Sequence, residues 1–306
     1  MRGATEGRNQ LNQDLQTFLE SWSLDPTVLG GAGLGAALYA YGWRRLRRPG
    51  FSHPVLANWR AWCFAGGMAT IVLALLSPID SFSELFFFMH MIQHLLLVEV
   101  AAPLMLLGAP LLPLLWALPR RLRVGLGSVF GPSNPLKRVL GFLTHPLMAA
   151  SLYVGALAVW HLPEFYDAAQ GRTVTHDFEH IVFLGTALLY WWPIIHPAGG
   201  RRRLGYAAAI PYLLPPMLAG SLIGALLTFA RHPLYATYLR VPRVWGISVL
   251  QDQQLAGLIM WVPGGLVYIF PIFVLIALLL RQEDRAADAV LESFPPTFGA
   301  GDGPDL

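Results

Sequence analysis

A helix that crosses a bilayer needs about 20 consecutive, mostly apolar residues. The 306-residue sequence supplies seven such stretches, near 27–43, 61–78, 84–108, 146–162, 177–195, 206–229 and 253–280. Charged residues make up only 13% of the chain and its mean hydropathy is +0.51, whereas a soluble domain carries about 25% charged residues. The expected fold is all-α: a polytopic integral membrane bundle of about seven transmembrane helices, with 27–280 as its single membrane domain. Residues 1–26 mix Arg2, Glu6, Arg8, Asp14 and Glu20 without the compact apolar run of a signal peptide. Residues 281–306 (RQEDRAADAVLESFPPTFGAGDGPDL) turn acidic and end in Pro and Gly, which predicts a disordered tail. The lone Cys63 excludes a disulfide framework and any Cys-x-x-Cys site.

Orientation follows from Lys and Arg, which accumulate in short cytoplasmic loops. With the N-terminus outside and the C-terminus inside, 15 of the 21 Lys and Arg fall on the cytoplasmic side, in clusters such as Arg44–Arg48, Arg120–Arg123 and Arg201–Arg203. Residues 1–26 are then extracytoplasmic and the tail cytoplasmic. A basic chain of this kind needs no nucleic acid as partner, because its cations face the inner leaflet of the cell (plasma) membrane that it crosses several times. The connection 109–145 contains PLLPLLWALPRRLRVGLGSVF, which reads as an interfacial helix, and Trp191 and Trp192 fit an aromatic belt.

Against this background the stretch FFFMHMIQHLLL, residues 86–97, is anomalous. It is apolar enough for lipid yet carries His90 and His94, and the same spacing returns at His176 and His180. Residues i and i+4 share one helix face, so each pair presents two imidazoles to one point. His161 closes the fourth span at the same side, giving three helices that bring histidine to the outer leaflet. Glu164, Asp167, Asp177, Glu179 and Asp252 accompany them. The remaining histidines, His53, His145, His196 and His232, each precede proline and read as loop or helix-entry positions.

Residues 85–107 hold thirteen Leu, Ile, Phe or Val, worth roughly −4 to −8 kcal/mol of insertion. An ionised group at mid-depth costs about +2.5 to +3.5 kcal/mol. The span tolerates two histidines, Gln93 and Glu99, but gains nothing by turning them to lipid, so they face the bundle. There they serve as metal ligands, as a hydrogen-bonded structural cluster, or as a proton path. On an α-helix Glu99 falls about 140° round from His94, outside that histidine's ligand.

Three chemistries fit the pattern. His176–His180 spells H-x-x-E-H, the inverted zinc-protease signature, with Glu179 activating water in an intramembrane zinc metallohydrolase. His94 and His180 on two helices suit a membrane b-type haem. Imidazoles joined by Met89, Met91 or Met260 favour copper, since thioethers select Cu(I) over Zn.

SPIDSFSELFFFMHMIQHLLLVEVAAPLMLLGAP (77–110), WHLPEFYDAA (160–169), HDFEHIVFLGTALLYWWPI (176–194) and DQQLAGLIMWVPGGL (252–266) together resemble the CtaG family. These are multi-span assembly factors of caa(3)-type cytochrome c oxidase. The likeness covers about residues 53–280. It implies a non-enzymatic factor that delivers or positions copper for the copper–haem centre of a haem-copper oxidase's catalytic subunit, alone or with another copper carrier. It makes His90, His94, His161, His176 and His180 candidate copper ligands, with Asp252 and Gln253 lining the mouth of the site.

Overall fold

The computed structural model describes residues 15–47, 56–129, 134–195 and 204–293. His53, His196, the Arg201–Arg203 run and residues 294–306 lie outside them. Among the described residues the regular structure is entirely helical, and its principal helices are α1 (Pro26–Leu46), α2 (Asn58–Leu76), α3 (Phe87–Leu107), α4 (Pro146–Trp160), α5 (Thr173–Ile195), α6 (Tyr206–Thr228) and α7 (Val249–Ser293).

Five of these, α2, α3, α5, α6 and α7, are long and apolar enough to cross a membrane, and the protein is a multi-pass membrane protein. Of about seven expected spans, five, or six with one bent helix pair, are found among the described residues. At 15 residues α4 is only about 22 Å long, short of a hydrocarbon core of about 30 Å. It reaches span length only with Pro135–Leu143, from which it bends by 64°. His145, between the two, takes the extended conformation expected before Pro146. α1 has the length, 21 residues, but five glycines and two tyrosines dilute its apolarity below that of the others.

One glycine of α1 has a packing purpose. A Cβ on Gly42 would stand 1.8 Å from the Pro113 carbonyl oxygen, so α1 lies directly against Leu111–Ala117. The expected interfacial helix is therefore two pieces. Leu111–Ala117 packs inward on α1, and Arg120–Val129 follows a break at Leu118-Pro119, with Arg123 over the Trp116 ring at 4.2 Å.

α3 is interrupted where the sequence dictates. Pro103 has no N–H to donate to the Glu99 carbonyl and would clash with it in a regular helix. Leu96–Ala101 accommodates this as a π turn, with Ala102 N–H bonded to the Leu97 carbonyl. Val98 loses its α-helical partner, and its carbonyl accepts from the Trp191 indole Nε1 at 3.2 Å. Trp191 is thus a core residue, 3% exposed, and not part of an aromatic belt.

The start of α3, at Phe86-Phe87-Phe88, contains no capping side chain. The cap comes from α7. Asp252, fully buried, accepts from Phe87 N–H at 3.1 Å and Phe88 N–H at 3.0 Å, and pairs with Arg243 Nη1 at 3.1 Å. Arg243 Nη2 also donates to the Leu85 carbonyl at 2.7 Å.

At its other end α7 runs past the expected boundary at Leu280 to Ser293. The stretch through Ser293 is therefore helical, not disordered, because RQEDRAADAVLES is rich in Ala, Arg, Glu and Leu and free of Gly and Pro.

α6 and α7 approach each other closely. A Cβ on Gly257 would meet the Gly224 carbonyl oxygen at 2.5 Å and Thr228 at 2.6 Å, whereas one on Gly265 meets only Ser221 Oγ at 3.8 Å. Small residues at helix crossings are how spans pack closely in lipid. Gly257→Leu should destabilise the detergent-solubilised protein by about 1–3 kcal/mol, read as a lower midpoint in thermal unfolding. Gly265→Ala should leave the midpoint unchanged.

Candidate metal centre

The two histidine pairs face each other across α3 and α5. Ring centroids are 4.2 Å apart for His90–His94, 5.1 Å for His94–His180, 4.2 Å for His180–His176 and 5.3 Å for His176–His90. The four imidazoles form a closed quadrilateral. Within it, one ligand atom each from His90, His94, His176 and Glu179 lies within 4.8 Å of the others.

Buried polar atoms are normally paired. Both ring nitrogens of His94, Nε2 of His176, Nε2 of His180 and Oε2 of Glu179 are buried without a hydrogen-bond partner. Within the converging group the imidazoles of His94 and His176 and the Glu179 carboxylate keep unpartnered atoms, a donor set that suits a transition metal ion. His90 is held by the Gln170 amide, which donates to its ring, 3.0 Å from Nδ1 and 3.5 Å from Nε2. Supporting bonds of this kind orient a metal-binding ring.

An aromatic roof closes the site. Tyr166 meets His90 edge-on at 5.3 Å, and Phe87 packs on Tyr166, Tyr235 and Tyr238. Tyr166 and Tyr238 share a hydroxyl hydrogen bond of 2.8 Å, and Tyr235 donates to the His161 carbonyl at 3.0 Å. Burial pushes the Tyr235 and Tyr238 hydroxyls up, well beyond the usual phenol range. They stay neutral donors. Asp167 ties down the roof by accepting from the N–H groups of Ala236 and Thr237. His90 is fully buried and His94 6% exposed, while His176 is only half-buried, so access to the cluster runs past His176.

The sequence-expected residues divide. His90, His94, His176 and His180 come together. His161 stands apart, with Nδ1 bonded to the Leu157 carbonyl at 2.7 Å and Nε2 buried and unpartnered. Asp252 and Gln253 do not line a mouth. Asp252 is consumed in capping α3, and Gln253 accepts from Leu234 N–H at 2.7 Å while its amide donates to the His232 carbonyl at 3.3 Å. Glu179 joins the ligand group directly, a role its place in H-x-x-E-H did not assign. Gln170 carried no sequence signal at all. Glu99 does reach the cavity beside His94. The π turn changes the rotation per residue, and i+5 positions approach one face.

The uncharacterized proteins Mb0105 of Mycobacterium bovis and MT0111 of Mycobacterium tuberculosis are each 32% identical to the chain over 278 residues, covering 88% of it and 41% of each relative. ML1998 of Mycobacterium leprae is 30% identical over the same shares. The chain thus spans about two-fifths of the length of these relatives. No solved structure matches it. Residues 37–282, which hold every residue of the histidine cluster, match the model of the cytochrome c oxidase caa3 assembly factors, Caa3_CtaG. The chain belongs to this family.

Proposed function

We propose that the protein takes part in assembling a haem-copper oxidase by holding copper at the His90, His94, His176 and Glu179 cluster and passing it to the oxidase's catalytic subunit, without catalytic turnover of its own. One observation carries the reading: ligand atoms of His90, His94, His176 and Glu179 converge within 4.8 Å, and His94, His176 and Glu179 each keep a buried, unpartnered polar atom. Imidazole binds Cu, Zn, Fe and Ni, and of the divalent ions copper is bound most tightly. The family's association with cytochrome c oxidase favours copper over the rest. His180, whose Nε2 is also free, is a reserve ligand one ring away.

A b-type haem suits this geometry poorly. His94 and His180 lie 5.1 Å apart by ring centroid, and Phe183 packs on His94 at 4.7 Å, which leaves no flat slot between them for a macrocycle. The intramembrane zinc hydrolase remains the competing reading, because Glu179 stands beside the histidines. In a hydrolase Glu179→Gln would abolish turnover with zinc still bound. In a copper holder the same change would weaken metal binding itself.

Metal content decides between them. Anaerobically loaded with Cu(I) in detergent, the wild-type chain should retain copper, and the His90→Ala/His94→Ala variant should lose it while inserting in the membrane at wild-type levels. Unchanged copper in the variant would refute the assignment. The side on which copper is handed over follows from the orientation expected from Lys and Arg. A phosphatase reporter that works only outside the cell should be active when inserted at Arg172 and silent at Arg202. The reverse pattern would put the cluster on the cytoplasmic side.

A further inference from the structure

Beneath the histidine quadrilateral lies a small, partly enclosed chamber of about 40 Å³, formed where α3, α4, α5, α6 and α7 converge. A water needs roughly 10–15 Å³ on this measure, so the chamber is large enough to hold a metal ion. Its wall includes the thioethers of Met91, Met217 and Met260, from three different helices, together with His94, His161 and Glu99. Three buried groups of this wall are unpartnered: both ring nitrogens of His94, Nε2 of His161 and Oε2 of Glu99. The His161 ring is locked by its Nδ1 bond to the Leu157 carbonyl, which keeps Nε2 free to act as a ligand. A Cβ on Gly264 would stand 3.5 Å from Glu99 Oε1, in ordinary contact, so this glycine brings α7 up to the carboxylate.

The composition of the wall selects its occupant. Thioether sulfur is a soft ligand that prefers Cu(I) to Zn and to harder ions. A cation at membrane depth requires a countercharge, and Glu99 is the one acidic residue lining the chamber. No lysine or arginine lines it.

We propose that this chamber is a second metal site, specific for Cu(I), built from Met91, Met217, Met260 and His161 with Glu99 as countercharge. His94 borders both compartments and is the shared ligand through which an ion steps between the cluster and the chamber. The step moves Cu(I) without electron transfer, exchanging imidazole and carboxylate donors for thioethers. This rests on copper being the cargo of the outer cluster, yet the two sites are separable by experiment because Met217, Met260 and His161 are not members of the four-residue cluster.

The test counts ions. In a Cys63→Ser background, where methionine is the only sulfur, the anaerobically Cu(I)-loaded chain should bind two ions, and X-ray absorption should show sulfur scattering. His176→Ala/Glu179→Ala should drop the count to one and keep the sulfur signal. Met217→Leu/Met260→Leu, nearly isosteric changes, should also drop the count to one but remove most of the sulfur signal. Glu99→Gln should weaken retention of the sulfur-bound ion by tenfold or more against a competing chelator. Wild type binding one ion that survives the methionine changes and disappears with His176→Ala/Glu179→Ala would overturn the second site and leave the proposed function standing. A single ion with the opposite behaviour would uphold the chamber and remove the cluster. No copper in any form would remove both.

Discussion

The buried carboxylate of Asp252 organises this fold. Helix α3 begins with three phenylalanines, none able to satisfy the exposed N–H groups of a helix start. In lipid each unpaired group costs several kcal/mol. Asp252 reaches from α7 to take two of them, and Arg243 balances its charge while bonding the Leu85 carbonyl. One ion pair therefore fixes where α3 starts, how it is rotated against α7, and where the intervening loop lies. His90 sits one turn below that cap. Register at the metal centre is inherited from it.

Much of this was legible in the sequence and some was not, for identifiable reasons. Apolar runs gave the spans because twenty apolar residues have few alternatives in water. Of about seven expected, five or six are long and apolar enough among the described residues, and α1 falls short because glycines take the place of apolar side chains along it. The i/i+4 spacing located both histidine pairs, since helical periodicity converts directly into a shared face. Asp252 and Gln253 were misread because their partners, Phe87, Phe88 and Leu234, are remote in sequence or are backbone groups, which carry no side-chain signal. Glu99 was misplaced by assuming a regular helix across Pro103. The proline was visible, but whether it would kink, break or widen the helix depends on Trp191, whose indole satisfies the freed Val98 carbonyl from another span.

The family match and the geometry bear on different questions. The family match places the chain among the caa3 assembly factors, and the converging ligand atoms supply a physical reason for the histidines. The roof of Tyr166, Tyr235 and Tyr238 covers the top of the cluster, and the half-buried His176 edge is its more exposed side.

At 45 residues α7 is about 68 Å long, more than twice the thickness of a hydrocarbon core of about 30 Å. Its residues 281–290 are all exposed. One end bears the carboxylate that seats the histidine helix, and the other projects about 20 Å past Leu280 as a charged rod. Pro263 and Pro271 each remove one bond from its hydrogen-bond ladder, yet the helix runs on unbroken between the two ends. A single element therefore joins the exposed arm to the cap above His90.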